Sequence, residues 1–210
     1  MNRKVRSLSE HLCYIALAQV DSASFVQLLE GSFRRFGPVQ KAVLPDNESA
    51  LEFLLPLRSF TTRYLILETN GWCVCISDMI GENCFIDVYA LSRQTNCAAL
   101  AAEFGATQRS FRYLRNGQVQ RAVNCYRDGF DWYFDQMGAP LDCEAVDRYH
   151  RQDRAERLTP DLVVHYLSRC SDIAFPLDVR HTQFSSIHGV QRSLDSLRAP
   201  LEQFYVDDED

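Results

Sequence analysis

The clearest pattern along the chain is alternation of apolar and polar residues. Arg63 to Thr69 and Trp72 to Ser77 are runs of aromatic and branched residues joined by Asn70-Gly71. Two such runs across Asn-Gly predict a hairpin, because both turn residues accept positive φ. The pattern recurs. Thr107 to Leu114 and Gln118 to Tyr126 flank Asn116-Gly117, and Asp128-Gly129 turns into Phe130-Asp131-Trp132-Tyr133-Phe134. About five strands in tight hairpins predict an antiparallel sheet.

Helical spacing fills much of the rest. Leu8, Leu12, Ile15 and Gln19 are spaced as on one helix face. Asp21 or Ser22 can cap a helix to about Phe36, stopped by Gly37-Pro38. Asn47 can cap a shorter helix that ends near Pro56. Asp78 to Asn83 reads as a polar loop, and Val88 to Phe104 as a helix with Leu91, Ala98, Leu100, Ala101 and Phe104 on its apolar face. Glu144 to Leu158 reads as a solvated helix, rich in both charge signs. Thr159-Pro160-Asp161 is a strong helix start, with a cap, proline at the first position and an acid in the first turn. Ile173 to Gly189 has no clear period, and Ser193 to Phe204 could hold a last short helix. The expected class is α+β: an antiparallel sheet packed with N-terminal, central and C-terminal helices. Residues 1–206 are expected to form one domain, and Asp207-Asp208-Glu209-Asp210 a disordered acidic tail.

Charge narrows the partners. The net charge is −6, four units of which come from that tail. Lys occurs only at Lys4 and Lys41, and no basic run suggests a nucleic-acid surface, so phosphate backbones are disfavoured and a basic protein partner fits. Arg3, Lys4 and Arg6 before Leu12 to Ala18 faintly imitate a secretory signal, but the apolar run is short and Glu10-His11 interrupts its approach. No apolar stretch is long enough to span a membrane as a helix. The eight cysteines are expected to be reduced thiols in a cytoplasm, behaving as small apolar residues.

Candidate chemistry adds little. Cys73 and Cys75 share one strand face, but no second close Cys or His pair completes a zinc site; they are expected to pack under helices, with Trp72, Val74 and Ile76 on the other face. Cys84, in the polar loop, with His150 or His165 as base, is the one candidate nucleophile for a thiol-dependent hydrolase. It lacks a flanking glycine-rich turn, and its acidic neighbours raise a thiol's pKa. Asp128, Asp131 and Asp135 fall near a turn, on strand positions expected to face opposite ways. No phosphate loop, nucleophile elbow or dinucleotide fingerprint is present, and no catalytic set, metal or cofactor is expected.

From Thr62 to about Asp172 the chain resembles a small uncharacterised bacterial family. The likeness rests on Leu65-x-Leu67-Glu68-Thr69-x-Gly71-Trp72, Tyr89-x-Leu91-Ser92-Arg93, Phe134-Asp135-x-x-Gly138-x-Pro140-Leu141 and Arg157-Leu158-Thr159-Pro160-Asp161-Leu162-x-x-x-Tyr166-Leu167. That family is similar to immunity proteins of polymorphic or interbacterial toxins. The resemblance implies a cytoplasmic, non-enzymatic protein that covers the active site of a cognate toxin domain, and it brings no catalytic residues. Basic clefts are common in toxins that act on nucleic acids, so the expected contacts are acids near loop ends: Asp78, Glu82, Asp87, Asp128 and Asp131.

Overall fold

The computed structural model describes residues 13–33, 40–44, 61–77, 82–105, 107–174 and 184–191. Among them lies one antiparallel sheet of nine strands: β1 Cys13–Ala18, β2 Gln40–Leu44, β3 Thr61–Thr69, β4 Trp72–Ser77, β5 Ala98–Phe104, β6 Gln108–Arg115, β7 Gln118–Asp128, β8 Asp131–Met137 and β9 Phe184–Gln191. Their order is β2-β9-β3-β4-β1-β5-β6-β7-β8. Three α-helices accompany it: α1 Ser22–Phe33, α2 Glu82–Thr95 and α3 Pro160–Ser171. Two short 3-10 turns, Val146–His150 and Arg154–Glu156, precede α3. The fold is α+β, with more strands than the hairpin signals predict.

The turns follow the local chemistry. Asn70-Gly71 and Asn116-Gly117 all take positive φ, between 50° and 74°, the geometry that two-residue hairpins need. The β7–β8 turn is Gly129-Phe130, with Gly129 at φ 60° in the first central position. Asp21 caps α1, its carboxylate accepting from the Ser24 amide at 2.8 Å. Thr159 caps α3 through the Leu162 amide, with Pro160 at the first position.

Four sequence expectations give way. Cys13–Ala18 is not part of a first helix but the central strand β1, paired with both β4 and β5. Val88–Phe104 is not one helix: α2 begins earlier, at Glu82, inside the expected polar loop, and Asn96 at φ 54° ends it before β5. Both strands are buried on both faces, so they are apolar at every position but Glu103 and carry no period of two. Glu144–Leu158 is not a solvated helix but a turn and two 3-10 segments, with Tyr149 and Leu158 buried. The stretch without a period contains β9, which joins β2 to the β3 edge. The expected helices at Asn47 and at Ser193, the Gly37-Pro38 stop and the acidic tail lie outside the described residues.

Helices cover both faces of the sheet. On one side Tyr14, Ala16, Ala18, Cys73, Cys75, Ala99 and Ala101 pack against Phe25 of α1 and Val88 and Leu91 of α2. On the other, Trp72, Val74, Ile76, Leu100 and Phe111 pack against Val163, Tyr166 and Leu167 of α3. The expectation that Cys73 and Cys75 sit under helices, with Trp72, Val74 and Ile76 opposite, holds.

Candidate functional site

α1 and α2 do not cover the whole of their face. The distal end of the sheet, where β7 and β8 form the last hairpin, presents an open surface. Asp128 and Asp131 are direct cross-strand partners, followed by Tyr126 with Tyr133, Asn124 with Asp135 and Ala122 with Met137. Directly opposite residues share a face, so Asp128, Asp131 and Asp135 all point the same way. The expected opposite orientation fails because the turn is Gly129-Phe130 and not Asp128-Gly129: Asp128 is a strand residue opposite Asp131, and Asp135, four positions on from Asp131, shares that face. The Tyr126 and Tyr133 rings stack at 5.5 Å and an interplanar angle of 16°, half-exposed. Asn124 donates to Asp135 at 2.7 Å. Phe130, at the tip, is 93% exposed.

The polar row continues inward. Asn124 pairs with Ser110 on β6, and Ser110 with Glu103 on β5. Glu103 is buried and accepts from Gln108 Nε2 at 2.6 Å and Ser110 Oγ at 3.2 Å. Burial pushes its carboxyl pKa up, more than those bonds and the nearby Arg112 charge pull it down.

The opposite side of the same hairpin is firmly backed. Trp132 and Phe134 pack on the α3-side core. The Arg109 guanidinium lies 4.7 Å from the Trp132 ring centre and donates to the carbonyls of Ala155 and Leu158. Arg154 donates to the Trp132 carbonyl at 3.2 Å. Arg121, from β7, is buried in a network: it donates to both oxygens of Glu144, to Gln136 and to the carbonyls of Met137 and Gly138. Tyr149 and the Leu141 amide donate to the same carboxylate. Burial by itself would raise the Glu144 pKa, but Arg121, Leu141 and Tyr149 together hold it below the usual range.

Of the acids read from the sequence, the structure brings Asp128 and Asp131 together, both exposed. Glu82 and Asp87 belong to α2 rather than to a loop; their side chains and all of Asp78 lie outside the described residues. Cys84 also belongs to α2, on one side of the sheet, whereas His150 and His165 belong to elements on the other side. The sheet therefore lies between the helix that carries Cys84 and the elements that carry both proposed bases. Sequence reasoning missed Phe130, Tyr126 and Tyr133 as surface residues. The two-residue turn at Gly129-Phe130 sets 126 opposite 133 but carries no signal of their exposure.

Among the described residues, no cluster of three or more His, Cys, Asp or Glu could hold a metal, and no helix is long and apolar enough to cross a membrane. No protein-family model matches the chain, and neither a curated protein nor a solved structure matches it.

Proposed function

We propose that the chain is an immunity-type inhibitor that binds a basic toxin domain in the cytoplasm and covers its active site with the β7–β8 hairpin. The observation that carries this reading is Phe130, 93% exposed at a tip flanked by two facing carboxylates. An exposed aromatic on a rigidly backed hairpin is a ready anchor, since interface energy concentrates in a few large side chains. Asp128, Asp131 and Asp135 around it supply charge complementarity to a basic cleft, which raises on-rate and selects the partner. The stacked tyrosines extend the anchor with rigid, amphipathic area. The resemblance between Thr62 and Asp172 and the net charge of −6 support the same reading.

The test is coexpression with the toxin domain encoded beside this gene. Growth rescue by the native chain, lost in Phe130→Ser while the variant stays folded, is the expected result. Rescue that survives simultaneous loss of Phe130, Asp128 and Asp131 moves the interface elsewhere. Absence of any rescue by the native chain removes the inhibitor reading.

A further inference from the structure

A cavity of about 560 Å³ opens on the α3 side of the sheet; Trp72, Tyr113, Arg115, Arg169 and three cysteines are in its lining, and two of the three are partly exposed. Those two, Cys143 and Cys170, have their sulfurs 3.6 Å apart. Cys73, Cys75, Cys97 and Cys125 are buried. We propose that Cys143 and Cys170 form a redox-responsive pair, closed to a disulfide by hydrogen peroxide that enters through this cavity.

The geometry suits closure. A disulfide bond is about 2.05 Å, so the sulfurs must approach by about 1.5 Å. Cys170 sits in the last turn of α3, a fixed support. Cys143 lies in the non-helical turn between Leu141 and Glu144, whose amide and carbonyl groups are bonded across the turn. A turn residue can supply that movement where a helix residue cannot. The cavity is large enough to admit a small oxidant. Arg115 and Arg169 line the same cavity.

The chemistry balances with one peroxide. One thiol gives up its proton, its thiolate attacks an oxygen of the peroxide, the O–O bond breaks, and the leaving hydroxide takes up that proton, giving a sulfenic acid and one water. The second sulfur attacks the sulfenic sulfur, the S–S bond forms, the S–O bond breaks, and the second water leaves. Two thiols lose two electrons in all, and peroxide gains them. Burial, then Cys143 and Glu144, push the Cys170 thiol up to about 12. Closure through the Cys170 thiolate should therefore quicken as pH rises.

The consequence is a covalent tie between α3 and the turn that carries Glu144, the partner of buried Arg121. The test uses the full chain, fully reduced, freed of reductant and treated with hydrogen peroxide. The expected product has lost the mass of two hydrogens, yields a Cys143–Cys170 cross-linked peptide, and melts about 5–10 °C higher because the closed loop restricts the unfolded chain. Dithiothreitol reverses all three changes. Cys143→Ser and, separately, Cys170→Ser abolish the cross-link and the gain in melting temperature. Because Cys143 is in a turn, its variant keeps the test decisive if Cys170→Ser fails to fold. Oxygen addition without the cross-link, or a hydrogen-pair loss that survives in Cys143→Ser, overturns the proposal.

Discussion

Arg121 Nη2 lies 2.6 Å from Glu144 Oε2, with both side chains essentially sealed from solvent, at 1% and 0% exposure. This pair joins β7 to the segment that follows β8, and Arg121 also caps the Met137 and Gly138 carbonyls. Neither charge can be left behind without its partner. Glu144→Gln or Arg121→Met should each cost about 3–5 kcal/mol, because each strands an uncompensated buried charge or donor set. Replacing both at once with apolar residues should recover a large part of that loss. Denaturant unfolding of the two single variants and the double variant measures it. Since Glu144 is held below its usual pKa, its contribution is present above the unfolded carboxyl value and is lost as pH falls through the folded one. The stability lost in Glu144→Gln should therefore shrink under acid.

Glu103 should behave in the opposite way. Its folded pKa is raised, so its favourable contribution is complete below the unfolded value and disappears as pH rises through the folded one. At neutral pH the buried carboxylate destabilises the fold. Glu103→Gln keeps an acceptor for Gln108 and Ser110 while removing the charge. It should raise the melting temperature at neutral pH and leave it unchanged in acid. An equal shift at both ends of a pH series would show that ionisation is not involved.

The two tryptophans serve the fold and not the partner. Trp72 is buried in the α3-side core, and Trp132 packs on the same face, under Arg109. Trp72→Ala should cost about 3–5 kcal/mol, and Trp132→Ala somewhat less because it is only partly buried. The residual folded fraction of each variant should bind its partner normally. A Trp132→Ala variant with an unchanged melting temperature and no binding would reassign that residue to the interface.

The hairpin tip should show the reverse. Asp128 and Asp131 face each other directly, and like charges so placed oppose pairing by a few tenths of a kcal/mol up to about 1 kcal/mol. Asp131→Asn should raise stability slightly while slowing association with a basic partner. Phe130→Ser should leave the melting temperature within about a degree, since surface changes rarely exceed 0.5 kcal/mol or so. Surface plasmon resonance on the same variants separates the two effects. A Phe130→Ser variant that binds with native affinity would remove the anchor.

Gly138 leaves no room for a side chain. It takes φ 80°, and an added Cβ would collide with the Gln120 carbonyl oxygen. Gly138→Ala should destabilise by at least about 1 kcal/mol, from backbone strain alone before the clash is counted. Chemical denaturation is sufficient to check it.

Where the sequence determined structure by itself, it did so through residues whose effect spans three or four positions. Asn70-Gly71, Asn116-Gly117 and Gly129 set turns through positive φ, and Thr159-Pro160 started α3 through one cap. The pairing of Asp128 with Asp131, two of the five acids expected as contacts, follows from a two-residue turn at Gly129-Phe130. The tertiary structure decided the rest, because the deciding contacts are remote in sequence. Cys13–Ala18 and Ala98–Phe104 are apolar at nearly every position, so their pattern fits helix and strand alike. Only pairing of β1 with β4 and β5, across some sixty and eighty residues, makes them strands. In sequence Glu144 is one more acid of a charged segment, and only the fold sets it beside Arg121, 23 residues earlier. The exposure of Phe130, Tyr126 and Tyr133 was equally invisible, since it depends on where α1 and α2 stop covering the sheet. Apolar residues carry no mark of whether a neighbour will arrive to bury them.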